Sequence, residues 1–263
     1  MAVANTMVGT QARGGVERAE RRFFLYMALA MATVIVGGFA FNLAMGRSTF
    51  SVPLVYHLHA VVYLAWIALY VAQNALIATN RVTLHRRVGA LAILWVPLMV
   101  ALGLAIMVTS LRRTGGPFFF DQNEFLVSNT LLLCCFAVMV FVALQCRRYT
   151  GWHRRLMLTA MSILTGPGLG RLLPMPLMMP HAWRIMMVIT LIFPIIGMIA
   201  DRRRLGYVHP AWFWGVGAII AVQTIADVIA YSDAGVALTE YVIDGSAGAE
   251  RPMHAFLPPG PGP

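Results

Sequence analysis

Apolar residues run in seven long blocks between about residue 23 and residue 231, and each block gives way to a short polar turn before the next begins. The blocks cover residues 23–44, 53–79, 85–110, 125–146, 154–175, 183–200 and 209–231. Each approaches the roughly 20 residues that an α-helix needs to cross a hydrocarbon core at about 1.5 Å of rise per residue. A bilayer offers no water to unpaired backbone N–H and C=O groups, so a crossing segment is a helix or a strand of a closed barrel. The alternating ten-residue pattern of a barrel is absent here. The pattern therefore predicts an all-α integral membrane bundle of seven transmembrane helices, one domain over 23–231. An Arg-rich segment, 1–22, precedes it. A flexible tail, 232–263, follows and ends in Pro258-Pro259-Gly260-Pro261-Gly262-Pro263.

Composition agrees: 59% of residues are hydrophobic and 11% charged. The net charge of +10 could suggest nucleic acid, but the arginines fall into the turns and form no single basic face, so no nucleic-acid partner is expected. They fit a topology instead. With the N-terminus in the cytoplasm, 14 of the 20 basic residues lie inside, which predicts an N-in, C-out orientation. Residues 1–22 are polar and the apolar run after them is long enough to span, so the first span is expected to act as a signal anchor. The tail would then be periplasmic. All 20 basic residues are arginine, and a chain without lysine has no Schiff-base partner for retinal, so a rhodopsin is excluded. Cys134, Cys135 and Cys146 share the fourth block without CxxC or CxxCH spacing, which leaves them as small apolar fillers.

The turns carry a repeated motif. Residues 84–88 read LHRRV and residues 152–156 read WHRRL, an offset of 68 that also superimposes the flanking blocks, and a third turn from Asp201 ends in His209-Pro210-Ala211. With His57-Leu58-His59-Ala60 and the HRRLM of residues 153–157, these motifs resemble an uncharacterised family of bacterial seven-helix inner-membrane proteins. The resemblance covers nearly all of residues 23–215. It implies the topology and a bacterial inner membrane and carries no activity. Histidines at helix ends in a small bundle also look, more loosely, like the diheme b-type cytochromes and ferric reductases, which implies haem b.

A b-type haem needs two axial histidines on different helices, facing each other at one depth. His85, His153 and His209 open three spans at one level, and His57 and His59 open the second span at the opposite side, so these five are the candidate ligands. The alternative for the HRR turns is anchoring, with Arg86, Arg87, Arg154, Arg155, Arg203 and Arg204 binding anionic phospholipid at the cytoplasmic face.

Ionisable groups inside apolar spans tend to mark function. Asp227 has Gln223 and Tyr231 on the same helix face, four residues to either side. Arg171 follows the Gly166-Pro167-Gly168 interruption, and Asn42 and Asn129 fall near the same depth. These residues predict a polar pocket in the outer half, or an Arg171–Asp227 ion pair that sets helix register. One of His57 and His59 could join Asp227 in a metal site like those of the seven-helix intramembrane ceramide hydrolases, although the HxxxH pair of that family is missing. Met175, Met178 and Met179 beside His181 could pass Cu(I), or serve as filler. Three functions follow. They are a haem- or metal-binding redox protein, an accessory subunit in a complex with other membrane subunits, and a lipid-handling enzyme or small-solute carrier using the outer pocket.

Overall fold

A computed structural model of the chain describes the backbone of residues 2–257 and the side chains of residues 17–257. Among the described residues there are eleven α-helices: α1 (Ala2–Ala44), α2 (Leu54–Ala78), α3 (Val82–Gly89), α4 (Ala92–Thr114), α5 (Gln122–Gln145), α6 (Thr150–Ile163), α7 (Gly166–Leu172), α8 (Ala182–Thr190), α9 (Ile192–Leu205), α10 (Pro210–Ala230) and α11 (Asp233–Ile243). Six segments among the described residues are long and apolar enough to cross a membrane: Glu17–Ala44, Leu54–Ala78, Ala92–Thr114, Gln122–Arg148, Ala182–Leu205 and Pro210–Ala230.

These six close a ring. α1 touches α2, α2 touches α4, α4 touches α5, α5 touches α10, α10 touches α9, and α9 touches α1. Two hydrogen bonds fix one of these seams in both directions: Trp95 Nε1 donates to the Val62 carbonyl at 3.0 Å, and the Tyr63 hydroxyl donates to the Met99 carbonyl at 2.9 Å. The outer faces are bare hydrocarbon. Leu94, for instance, is 79% exposed. Such a belt of exposed leucine, valine and phenylalanine on every ring helix suits lipid as its solvent.

The fifth apolar block occupies the middle of the ring as α6 and α7, in contact with α1, α5, α8, α9 and α10. It falls short of the length and hydropathy of the other six because a two-residue turn at Leu164 and Thr165 divides it and because it is rich in polar groups. Its central position explains both features. α6 faces protein on all sides, so Arg155, Thr159 and Ser162 can be fully buried. The hydroxyls of Thr159 and Ser162 donate back to the Arg155 and Thr159 carbonyls at 2.9 and 2.7 Å, which leaves no orphan hydroxyl hydrogen. Glu20 on α1 meets Arg155 on α6, and Gly38 on α1 meets Gly168 on α7, so α6–α7 runs alongside α1 over that whole interval. A Cβ on Gly168 would lie 2.7 Å from Ile35 Cα, so only glycine allows the two backbones to approach this closely.

Two expectations about the HRR turns are corrected. The LHRRV turn does not open the third span but forms a separate amphipathic helix, α3, and the span begins at Ala92. The two HRR motifs are therefore not structural equivalents, since one lies on an exposed surface helix and the other enters the core. The Arg-rich N-terminal segment is continuous with the first span in helix α1.

The segment after Tyr231 is folded as well. Ser232 caps α11, its hydroxyl oxygen accepting from the Gly235 N–H at 3.2 Å. Ile243 packs against Met107, Leu111 and Leu126. Gln122 holds the chain in place, with its backbone N–H donating to the Met253 carbonyl at 2.8 Å and its side chain to the Gly248 and Arg251 carbonyls. Arg251 in turn donates to the carbonyls of Gly115, Gly116, Pro117 and Phe120. Residues 232–257 thus form a cap over the ends of α4 and α5, while the proline-rich end from Pro258 lies outside the described residues. Both the apolar contacts of α11 and the hydrogen bonds to carbonyls in the loop between α4 and α5 order this segment.

Candidate functional site

Polar side chains gather at the two ends of the bundle, here called the Glu20 end and the Asp227 end. At the Glu20 end, Arg155 makes a two-pronged pair with Asp201, Nε to Oδ2 and Nη2 to Oδ1, both at 2.7 Å. Nη2 also reaches Glu20 Oε1 at 2.9 Å, and Nη1 donates to the Gly151 carbonyl at 3.0 Å. Trp212 Nε1 donates to Asp201 Oδ2 at 2.8 Å, and the His209 backbone N–H donates to the same oxygen at 3.3 Å. Arg154 pairs with Glu20 at 2.5 Å. α1, α6, α9 and α10 therefore meet at one buried knot of charge in which each carboxylate faces at least one arginine. A planar guanidinium suits this role because it can serve two carboxylates at once.

This knot corrects the anchoring assignment for one of its six arginines. Arg155 is 0% exposed and cannot reach lipid, whereas Arg154 pairs with Glu20 and keeps 28% of its side chain exposed. Arg204 is half-buried, stacked over Phe23 at 4.2 Å. Arg86, Arg87 and Arg203 are exposed. The sequence reading missed Glu20 and Asp201. The signal was available, because each is an acid beside an arginine cluster at the edge of an apolar block.

The five candidate histidines separate. His209 caps α10, its Nδ1 accepting from the Ala211 N–H at 3.1 Å, with its ring 5.6 Å from that of Trp152. His57 and His59 lie in the first turns of α2, where His59 stacks on Tyr63 at 3.9 Å. Only His85 and His153 are brought together as rings. Their centroids lie 6.3 Å apart with the planes at 80°. His153 Nδ1 is 2.8 Å from the Ala143 carbonyl, which fixes its proton on Nδ1 when the ring is neutral. The Gln73 side-chain amide lies 2.5 Å from His85 Nδ1 and also reaches the His85 carbonyl and the Gly89 N–H. Burial, and then the proximity of His153, hold the His85 imidazole below its ordinary value, so it is neutral at pH 7.

At the Asp227 end, the expected pocket is partly assembled. Gln223 Nε2 donates to Asp227 Oδ1 at 2.7 Å and to Ser128 Oγ at 3.2 Å, while its oxygen accepts from Trp183 Nε1 at 3.1 Å. Asp227 pairs with Arg184 at 3.0 Å. The expected Arg171–Asp227 pair does not form, nor does a metal site of His57, His59 and Asp227. Arg171 lies over Phe39, Asn42 bonds to Ser48 at 2.7 Å, and Asn129 bonds to the Phe125 carbonyl of its own helix at 2.9 Å. Among the described residues no group of three or more histidine, cysteine or acidic side chains is placed to hold a metal ion. Met175 is packed in an apolar cluster with Phe120 and Trp183, which is the filler reading.

Two acids beside this pocket were not anticipated. Asp121 accepts from the Tyr231 hydroxyl at 2.9 Å and from the Ala255 N–H at 2.6 Å, joining the bundle to the cap. Burial, then the charge of Glu124 and the hydrogen bond to Asp121, raise the Tyr231 phenol above its ordinary value and keep it a donor. Glu124 is 3% exposed and has no hydrogen-bond or ion-pair partner among the described residues. Its position three residues after the N-cap Asp121 hides it in the sequence, where it reads as an ordinary helix-start acid.

Fold and sites together define a multi-pass helical membrane protein. Comparison with protein-family models, curated proteins and solved structures returns no match.

Proposed function

We propose that this chain is a haem-binding redox protein of a bacterial inner membrane, crossing it seven times with its N-terminus in the cytoplasm and using His85 and His153 as axial ligands. The pairing of those two rings carries the reading. Metal–imidazole bonds run about 2.0–2.1 Å, so two rings on opposite sides of one ion have centres roughly 6 Å apart, close to the 6.3 Å separation here. Haem would ask the protein for two ligands, which this pair of rings could supply. Bound haem would supply one-electron transfer. His153 is oriented for such a role by the Ala143 carbonyl, and the low proton affinity of His85 keeps it neutral. The seventh crossing is assigned to α6–α7 because it runs alongside α1 from Glu20 to Gly38. The orientation rests on the arginine count in the turns.

The test is the visible spectrum of the detergent-purified protein, oxidised and then reduced with dithionite. A b-type Soret and α band that disappears in both His85→Ala and His153→Ala, with His209→Ala unchanged, is the expected result. A featureless spectrum in folded protein expressed with ample haem overturns the proposal.

A second reading has its own observation. Glu124, buried and unpartnered near Asp227, Gln223 and Arg184, supports a carrier for protons or small cations at the Asp227 end. Uptake of a cation into proteoliposomes that is lost in Glu124→Gln would favour it.

A further inference from the structure

Glu124 is a buried acid with no donor opposite it. It is 3% exposed, and its carboxylate makes no hydrogen bond or ion pair among the described residues. The register of the α5–α10 seam shows where it points. Asp121 accepts from the Tyr231 hydroxyl, Asn123 donates to the Ala230 carbonyl, Val127 packs on Ala226 and Ala230, and the Ser128 hydroxyl oxygen accepts from Gln223. The two helices are thus antiparallel, each step forward along α5 matching a step back along α10. At about 100° of turn per residue, Glu124 falls inside the arc of α5 that these four residues define. It therefore faces α10 at the level of Asp227.

Both oxygens of Asp227 have donors: Oδ1 accepts from Gln223 Nε2 at 2.7 Å and Oδ2 from Arg184 Nε at 3.0 Å. Neither donor reaches Glu124. Asp121 has its own donors in the Tyr231 hydroxyl and the Ala255 N–H, so two opposed carboxylates share one arginine and a single negative charge is left unmatched. A carboxylate buried in that state is costly, and a cation from outside the chain is its complement. The site can admit one. Gln122 Oε1 and Asn123 Oδ1, on the same turn, are sealed without a partner, whereas the Glu124 oxygens are not sealed, and the Asp227 side chain is 25% exposed. Both acids also lie within a turn of their helix ends at Gln122 and Ala230, about 3–5 Å of rise. Oxygen donors alone suit a hard cation. The single unmatched charge selects a monovalent ion, and calcium, which takes roughly 6–8 oxygen ligands, would be both overcharged and underligated here.

We propose that the Glu124 and Asp227 carboxylates bind a small monovalent metal cation, with sodium as the representative ion, across the α5–α10 seam. Gln223 and Arg184 hold Asp227 in position, and water completes the coordination from the side on which Asp227 is exposed. The proposal deepens the carrier reading of the Asp227 end by giving its cation, and it is independent of the His85–His153 pair. Binding and transport fail separately: a chain that binds sodium and moves none loses the carrier reading alone, and a chain that moves protons without binding sodium loses this proposal alone.

Binding of radioactive sodium to the detergent-purified full chain in choline buffer is the test. A single saturable site per chain is expected, displaced by unlabelled sodium and not by choline. Binding should be lost in Glu124→Gln and weakened at least tenfold in Asp227→Asn, while Glu240→Gln, at an exposed position on α11, should bind as wild type does. In sodium-free buffer Glu124→Gln should melt no lower than wild type, which separates a lost site from a lost fold. No saturable binding, equal binding by wild type and Glu124→Gln, or displacement by calcium at a lower concentration than by sodium overturns the proposal. Should Glu124→Gln fail to fold, Asp227→Asn carries the same test.

Discussion

The two ends of the bundle handle charge differently. At the Glu20 end two arginines and two acids from three helices, joined by an indole N–H, form a closed set, with Arg155 and Asp201 almost wholly out of solvent. At the Asp227 end the charges are dispersed: Asp227 leans on a half-exposed Arg184, Glu124 has no partner, and Arg171 rests on an aromatic ring. A buried ion set contributes little net stability but is severe to break, and it specifies one arrangement of the helices. Incomplete pairing is what an exchangeable ligand, proton or lipid would require. The charges are closed into one set at the Glu20 end and dispersed at the Asp227 end, and the His85–His153 pair lies near the closed set but outside its network.

The largest effect should come from opening the closed set. Arg155→Met leaves Asp201 buried without its arginine and Glu20 with Arg154 alone, and a loss of about 3–5 kcal/mol is expected. Thermal unfolding in detergent would register this, and the Arg155→Met/Asp201→Leu double variant should recover part of it. If the single variant melts like wild type, the knot is not a staple. Next in size is Gly168→Leu, where the side chain would meet the α1 backbone and cost about 1–3 kcal/mol. Its melting temperature should drop while Gly37→Leu, at a position with open space around it, changes little.

Much of this architecture could be read along the chain, because spanning helices are dictated by continuous apolar length and six of seven blocks show it. The pairing partners could not. Arg155 and Arg87 occupy matching places in two HRR turns, yet one is fully buried and the other is exposed. The difference arises from Glu20, 135 residues away, and Asp201, 46 residues away. Gln223 and Asp227 were legible as neighbours because four residues make one helical turn. Arg171 was misassigned because no local spacing says which neighbour its helix will face.

Smaller effects would sharpen the contrast between the ends. Glu124→Gln replaces a buried carboxyl that makes no hydrogen bond or ion pair among the described residues, so its melting temperature should rise slightly, whereas Glu20→Gln should lower it. Asp227→Asn should cost only about 0–1 kcal/mol, since Arg184 is largely exposed. The smallest is a pH slope. The folded chain holds His85 below its ordinary value, so the unfolded chain takes up a proton first as pH falls below about 6.5, and stability declines from there towards the folded value. His85→Gln should flatten that decline between pH 7 and pH 5 in melting experiments, and an unchanged slope would remove His85 as its source.

By itself the sequence determined the helical membrane class, because a bilayer leaves a long apolar block no alternative to satisfying its backbone internally. It also determined which residues sit one turn apart. Tertiary structure alone decided that the fifth block fills the ring and that Arg155 meets Asp201 and Glu20. It likewise decided that the segment after Tyr231 caps α4 and α5. Each of these depends on which helix stands beside which, a choice made by glycine contacts and buried charge between residues far apart in the chain.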